Sequence, residues 1–235
     1  MPSAAEILES LATISHRWQT LAVLWHVYFG LLAAAAMFGW RPSGRLAGAL
    51  LIPPIASVSV LAWMQGNPFN GAVIGTLCVA LVVLLRAVNN ARVMSASSLY
   101  VVLGSLLFGF GWTYPHFFEG DPGAAHLYAA PLGLIPCPTL SATVGIAIIF
   151  RGLGCRSWSV LLVSVALFYG LFGAVYLGVT VDWILAGGAV TLFIAVMQRP
   201  MGGSNAHPVS GQSAAGDEDK PLKPAPHPRH KLPGT

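Results

Sequence analysis

Between Tyr114 and Thr143 the chain reads YPHFFEGDPGAAHLYAAPLGLIPCPTLSAT, which gathers five prolines, two histidines, two acids and a cysteine. Cys137 stands between Pro136 and Pro138 and is followed by Thr139. A soft thiolate with imidazoles suits Cu(I) or Zn(II). His116 and His126 lie in the same segment, and His26 lies earlier in the chain. We therefore expect Cys137, His26 and His116 as the metal-ligand candidates, around a cavity lined by Pro136, Pro138, Thr139 and Asp182. Each residue also has a plainer role. Cys137 can be a small apolar filler at a kink, and His26 a satisfied interhelical hydrogen-bonding residue. His116 and His126 can be loop residues, and Asp182 can mark a helix N-terminus.

What must position these groups is a set of uncharged apolar windows at 20–40, 46–65, 69–85, 97–114, 129–150, 157–181 and 183–198. Their lengths bracket the roughly 17–25 residues that an α-helix needs to cross a hydrocarbon core. Continuous apolar runs without alternation exclude a β-barrel, and bare backbone in lipid requires helices. The expected fold is an all-α polytopic membrane bundle of seven transmembrane helices. The three prolines Pro131, Pro136 and Pro138 predict a break or kink in the fifth span near 134–139. Thr139, Ser141 and Thr143 would then bond neighbouring backbone or line a polar cavity. Discontinuous helices are where transporters place solute and ion sites.

Composition agrees with this reading. The 235 residues are 55% hydrophobic and 9% charged, and mean hydropathy is +0.70. Only ten charged residues fall between Trp18 and Arg199. The lipid bilayer is therefore the expected partner, with self-association or other membrane subunits as further ones. A net charge of +4 without a basic, aromatic-laced cluster argues against nucleic acid. Arg41, Arg45, Arg86, Arg92, Arg151, Arg156 and Arg199 occupy every second loop, and the basic residues of the tail follow them. By the positive-inside rule this predicts N-terminus out and C-terminus in.

Three regions are expected. Residues 1–17 form an interfacial amphipathic helix, with Ser3 and Glu6 at capping-box spacing and Ile7, Leu8, Leu11 and Ile14 on one face. They lack the basic start of a secretory signal. Residues 18–199 form the seven-helix domain, and residues 200–235, rich in Pro, Gly, Ser and His, form a disordered cytoplasmic tail. There is no phosphate-loop motif or haem-attachment signature, and no lysine precedes Lys220, which excludes a retinal Schiff base in the spans. No nucleophile-plus-base grouping or paired carboxylates stand out in the spans, so no catalytic activity is expected. The leading expectation is a protein that binds or passes a small solute or soft metal ion through an outward-facing cavity. The alternative is a non-catalytic accessory subunit of a larger membrane complex. For that role Gly104, Gly109, Gly111, Gly170, Gly173, Gly187 and Gly188 would supply close helix contacts, within the chain or between chains. The tryptophans are expected to form an interfacial belt.

At Tyr114-Pro115 and at Gly133-Leu134-Ile135-Pro136-Cys137-Pro138-Thr139 the chain resembles an uncharacterised family of small bacterial multi-pass membrane proteins. That family shares a Tyr-Pro … Gly-x-x-Pro-Cys-Pro-Thr signature. Trp18 and Asn67-Pro68 are further matching pieces, and the likeness covers residues from about 11 to 198. Where typical relatives look more basic between the motifs, this chain carries Glu119 and Asp121. The resemblance implies a bacterial inner-membrane protein with no assigned activity.

Overall fold

The computed structural model describes residues 3–117 and 127–198. Glu119, Asp121, His126, Arg199 and the tail at 200–235, with the expectation of disorder there, lie outside the described residues. The helices are α1 (Ala4–Arg17), α2 (Gln19–Met37), α3 (Gly44–Met64), α4 (Pro68–Leu84), α5 (Ser98–Trp112), α6 (Pro136–Ile149), α7 (Arg156–Leu171) and α8 (Trp183–Met197). Helix α7 continues into a π turn, Phe172–Tyr176, and a 3-10 turn, Thr180–Asp182, leads into α8. Four stretches are long and apolar enough to cross a membrane: Gln19–Met37, Gly44–Met64, Arg156–Tyr176 and Thr180–Met197. Pro68–Leu84, Ser98–Trp112 and Pro136–Ile149 are shorter apolar helices. Leu24, Leu31, Val79, Val83, Leu106 and Phe193 are exposed on the outside, an exterior suited to lipid rather than water. The chain is a helical integral membrane protein.

The fifth window does not form a kinked helix. Its helical part begins at Pro136, with proline in the first turn where no backbone N–H is needed. The preceding residues 129–135 are buried non-helical chain, turned by bonds from the Leu134 and Ile135 N–H groups to the Pro131 carbonyl. Irregular backbone is tolerated at membrane depth when protein surrounds it. Gly133 has φ +73°, and a Cβ there would run into the Trp25 ring. The prolines thus start a helix rather than interrupt one.

Pro53 and Pro54 do lie inside a helix, α3. Pro54 cannot donate to the Leu50 carbonyl, and that carbonyl instead accepts the Tyr28 hydroxyl of α2 at 2.7 Å. A backbone defect in one helix thereby fastens its neighbour.

Loops alternate between two ends. At one end the Gly44 N–H donates to the Ala91 carbonyl, the Val93 N–H to the Pro42 carbonyl and the Ala96 N–H to the Ile149 carbonyl. These bonds join the loops that hold Arg41, Arg45, Arg86, Arg92 and Arg151. At the other end lie Tyr114, Asp182 and α1, whose buried Ile7, Leu11 and Ile14 pack with Tyr114, Leu134 and Ile135. Helix α1 starts with the capping box of Ser3 and Glu6.

Helices α5 and α6 approach most closely. A Cβ on Gly104 would lie 2.6 Å from the Gly145 carbonyl oxygen, and one on Gly111 2.6 Å from the Pro138 carbonyl oxygen. Gly170 and Gly188 are likewise tight against Ala186 and Leu107, whereas Gly109 and Gly187 face open space. The tryptophans divide too. Trp40, Trp63 and Trp183 are exposed, but Trp158 is fully buried in the main core.

Candidate functional site

Asp182 stands at the N-cap of α8 but makes no side-chain cap bond. Its carboxylate turns inward, 1% exposed. The Tyr114 hydroxyl donates to Oδ1 at 2.7 Å, and the Cys137 thiol donates to Oδ2 at 3.1 Å. Three loops and helix ends converge here: Tyr114 just beyond α5, Cys137 in the first turn of α6, and Asp182 between the 3-10 turn and α8. Among the described residues no lysine or arginine lines the cavity around them. A carboxylate withdrawn from water is costly unless its charge is compensated, and the two donors it has are neutral.

Gly173 belongs to the π turn, and its missing side chain makes room for the carboxylate, since a Cβ there would overlap Asp182. Single π turns inside α-helices recur at functional sites because they re-aim the chain. Beside this cluster the Tyr169 hydroxyl donates to Asn70 Oδ1 at 3.0 Å, and Asn70 sits in the first turn of α4, which Asn67 caps through the Asn70 N–H. The cavity among these groups is about 20 Å³, room for about one water molecule. Its walls include Pro136, Cys137 and Asp182, with Ile7, Leu8 and Leu11 of α1 closing over it. The amphipathic face of α1 is therefore a cover for a polar cluster.

The other expected residues go elsewhere. Thr139 does not line the cavity: its hydroxyl donates to the Ile135 carbonyl at 2.7 Å and accepts the Gly133 N–H at 2.9 Å. It ties the buried loop to the helix it feeds. Ser141 and Thr143 donate to carbonyls one turn back, at Cys137 and Thr139. Pro138 faces α5, where its carbonyl lies against Gly111.

His26 is 3% exposed. Nδ1 faces the Ala22 carbonyl at 2.8 Å and Nε2 the Trp112 carbonyl at 3.0 Å, with the ring edge-on to Trp112. Both nitrogens meet carbonyl oxygens, so neither offers a metal an open lone pair. The His116 ring packs edge-on against Phe117 at 4.3 Å between centroids, and burial pushes its pKa below the usual histidine value. Phe117 lines the cavity but His116 does not. Among the described residues no three His, Cys, Asp or Glu side chains come together as a metal site.

Sequence reasoning missed Tyr114 as a donor, and it missed Tyr169 and Asn70 entirely. Tyr114 lies in the proline- and histidine-rich segment at 114–143, but nothing local to it names its partner. Gly173 was expected to serve helix contact, and it serves the carboxylate. No protein-family model matches the chain, and neither the curated proteins nor the solved structures contain a match to it.

Proposed function

We propose that this integral membrane protein binds a small cationic solute at the Asp182–Cys137–Tyr114 cluster, on the outward face of a seven-span bundle in a bacterial inner membrane. The arginine-bearing loops and the C-terminus face the cytoplasm in this reading. The observation that carries it is the buried Asp182 carboxylate, which accepts bonds from a phenol and a thiol and has no basic side chain beside it among the described residues. A soft ion, Cu(I) or Zn(II), would displace the thiol proton and take Cys137 Sγ and an Asp182 oxygen as ligands. His26 and His116 drop out of the ligand set, and the remaining positions fall to Tyr114, Asn70 or water. The protein binds or passes its solute and has no catalytic step.

The test is metal content and thermal stability of the purified protein in mild detergent. Zn(II) or Cu(I) is expected to raise Tm of the wild type and to leave Asp182→Asn and Cys137→Ser unmoved. A wild-type Tm indifferent to both ions overturns the soft-metal reading. Reporter fusions after each helix test the orientation, and a periplasmic tail would place the cluster on the wrong side.

A further inference from the structure

At the arginine-bearing end a second and much larger cavity, of about 450 Å³, opens between α2, α3, α5 and α6. That size falls in the range of ligand pockets, about 300–1,000 Å³. Its walls are mostly apolar, with Leu32 and Ala36 of α2, Leu51 of α3, Phe108 of α5 and Ile146 of α6 among them, and Ser95 and Ser105 as polar exceptions. Along α5 the wall runs from Val101 to Phe108, a depth of about 10 Å at about 1.5 Å per residue. The cause lies in α2. Its outer half is held by aromatic and polar contacts, Phe29 on Phe108 and Tyr28 on the Leu50 carbonyl. Its C-terminal half is the run Ala33–Ala34–Ala35–Ala36, whose short side chains leave space beside the bundle although Ala36 touches the core. A void lined by hydrocarbon holds water poorly, and leaving it empty forfeits dispersion contacts. In a membrane the apolar filler at hand is an acyl chain.

The mouth specifies more than a tail. Trp40 and Arg41 form part of it. One guanidinium nitrogen of Arg41 donates to the Ala36 and Trp40 carbonyls, and the group lies over the Phe150 ring at 5.8 Å. Those bonds fix the guanidinium and leave its charge unneutralised. The acidic residues among the described ones are Glu6, Glu9 and Asp182, which belong to α1 and to the opposite end. A fixed guanidinium above an apolar slot matches a phosphate joined to a hydrocarbon chain.

We infer that this crevice seats one acyl chain of an anionic phospholipid, with the headgroup phosphate on Arg41. The lipid is a structural ligand that fills the gap behind α2, independent of what the Asp182 cluster binds.

The test uses the full chain reconstituted into nanodiscs of equal phosphatidylglycerol and phosphatidylcholine, then released into mild detergent for native mass spectrometry. The wild type is expected to retain one phospholipid per chain, with phosphatidylglycerol favoured about fivefold, the effect of one basic residue at an anionic surface. Arg41→Gln should bring that ratio close to one. Ala36→Phe, which fills the slot, should remove the retained lipid of either kind while circular dichroism and Tm show a folded chain. Ala33→Leu serves the same purpose should the phenylalanine variant not fold. Equal retention of the two lipids by the wild type, or unchanged retention in the filled variants, overturns the inference. So does a neutral apolar molecule in place of phospholipid in the extracted complex.

Discussion

The two ends of the bundle solve opposite problems. At the Asp182 end a polar cluster sits in a cavity of about 20 Å³ that the chain closes with its own α1. At the arginine end an apolar space of about 450 Å³ is left open beside α2. Lipid tails offer no hydrogen bonds, so a buried carboxylate must find its donors within the protein. They do offer dispersion contacts, so an apolar gap can be left for them to fill. Burial therefore has a different meaning at each end: polar satisfaction at one, and a mostly apolar crevice at the other.

The contrast can be broken most forcefully at Gly173. Gly173→Val pushes a side chain into the Asp182 carboxylate, and a loss of about 3 kcal/mol or more is expected, in the range of disrupted buried polar groups. Thermal melting in detergent reads it. Ala36→Phe, which adds about twice as many carbons at the other end, should leave Tm nearly unchanged, and a large drop there would erase the distinction between the two cavities. Next comes Tyr114→Phe, which strips Asp182 Oδ1 of its donor and should cost about 1–3 kcal/mol. Cys137→Ser keeps a donor and should cost less, so a reversed order would show that the thiol rather than the phenol holds the carboxylate. The cover is tested by Leu11→Asp in a chain with Cys78 and Cys155 changed to alanine. Reaction of Cys137 with a small maleimide should accelerate about tenfold, equivalent to about 1.4 kcal/mol of easier opening.

The smallest effect belongs to the cap of α1. Bonds from the Ser3 backbone and hydroxyl hold the Glu6 carboxyl below the usual glutamate value. A depressed folded-state pKa contributes stability above the unfolded value and loses it as pH falls through the folded one. Ser3→Ala should therefore loosen α1 slightly at neutral pH, and the difference from wild type should narrow in acid to the lost bond from the Glu6 N–H to the Ser3 hydroxyl. Hydrogen exchange of the first helical turn measures it.

The helices were legible because apolar runs of membrane length have few other solutions. The window at 69–85 differs from Pro68–Leu84 by one residue at each end. The break expected near 134–139 in the fifth window falls at the start of α6, at Pro136, but the non-helical path of residues 129–135 was not legible, because they are as apolar as the helix after them and hydropathy reports burial rather than backbone shape. Capping of α1 was readable from Ser3 and Glu6, since both halves of that interaction lie within one turn. The site was only half legible. Asp182 and Cys137 stood out as polar residues among apolar ones, but their meeting depends on contacts 45 residues apart. Tyr169 and Asn70, 99 residues apart, carry no local pattern that would pair them. His26 attracted attention for its chemistry, yet its nearest acceptor is the carbonyl one turn back in its own helix, a bond that any helical histidine has within reach.

The proline-freed carbonyl of Leu50 has a mechanical consequence. Because Tyr28 is anchored there and His26 one half-turn earlier, α2 is pinned to α3 and α5 near its middle. Beyond that point the alanine arm is held where the Ala36 carbonyl accepts the Arg41 guanidinium, with no aromatic side chain of its own.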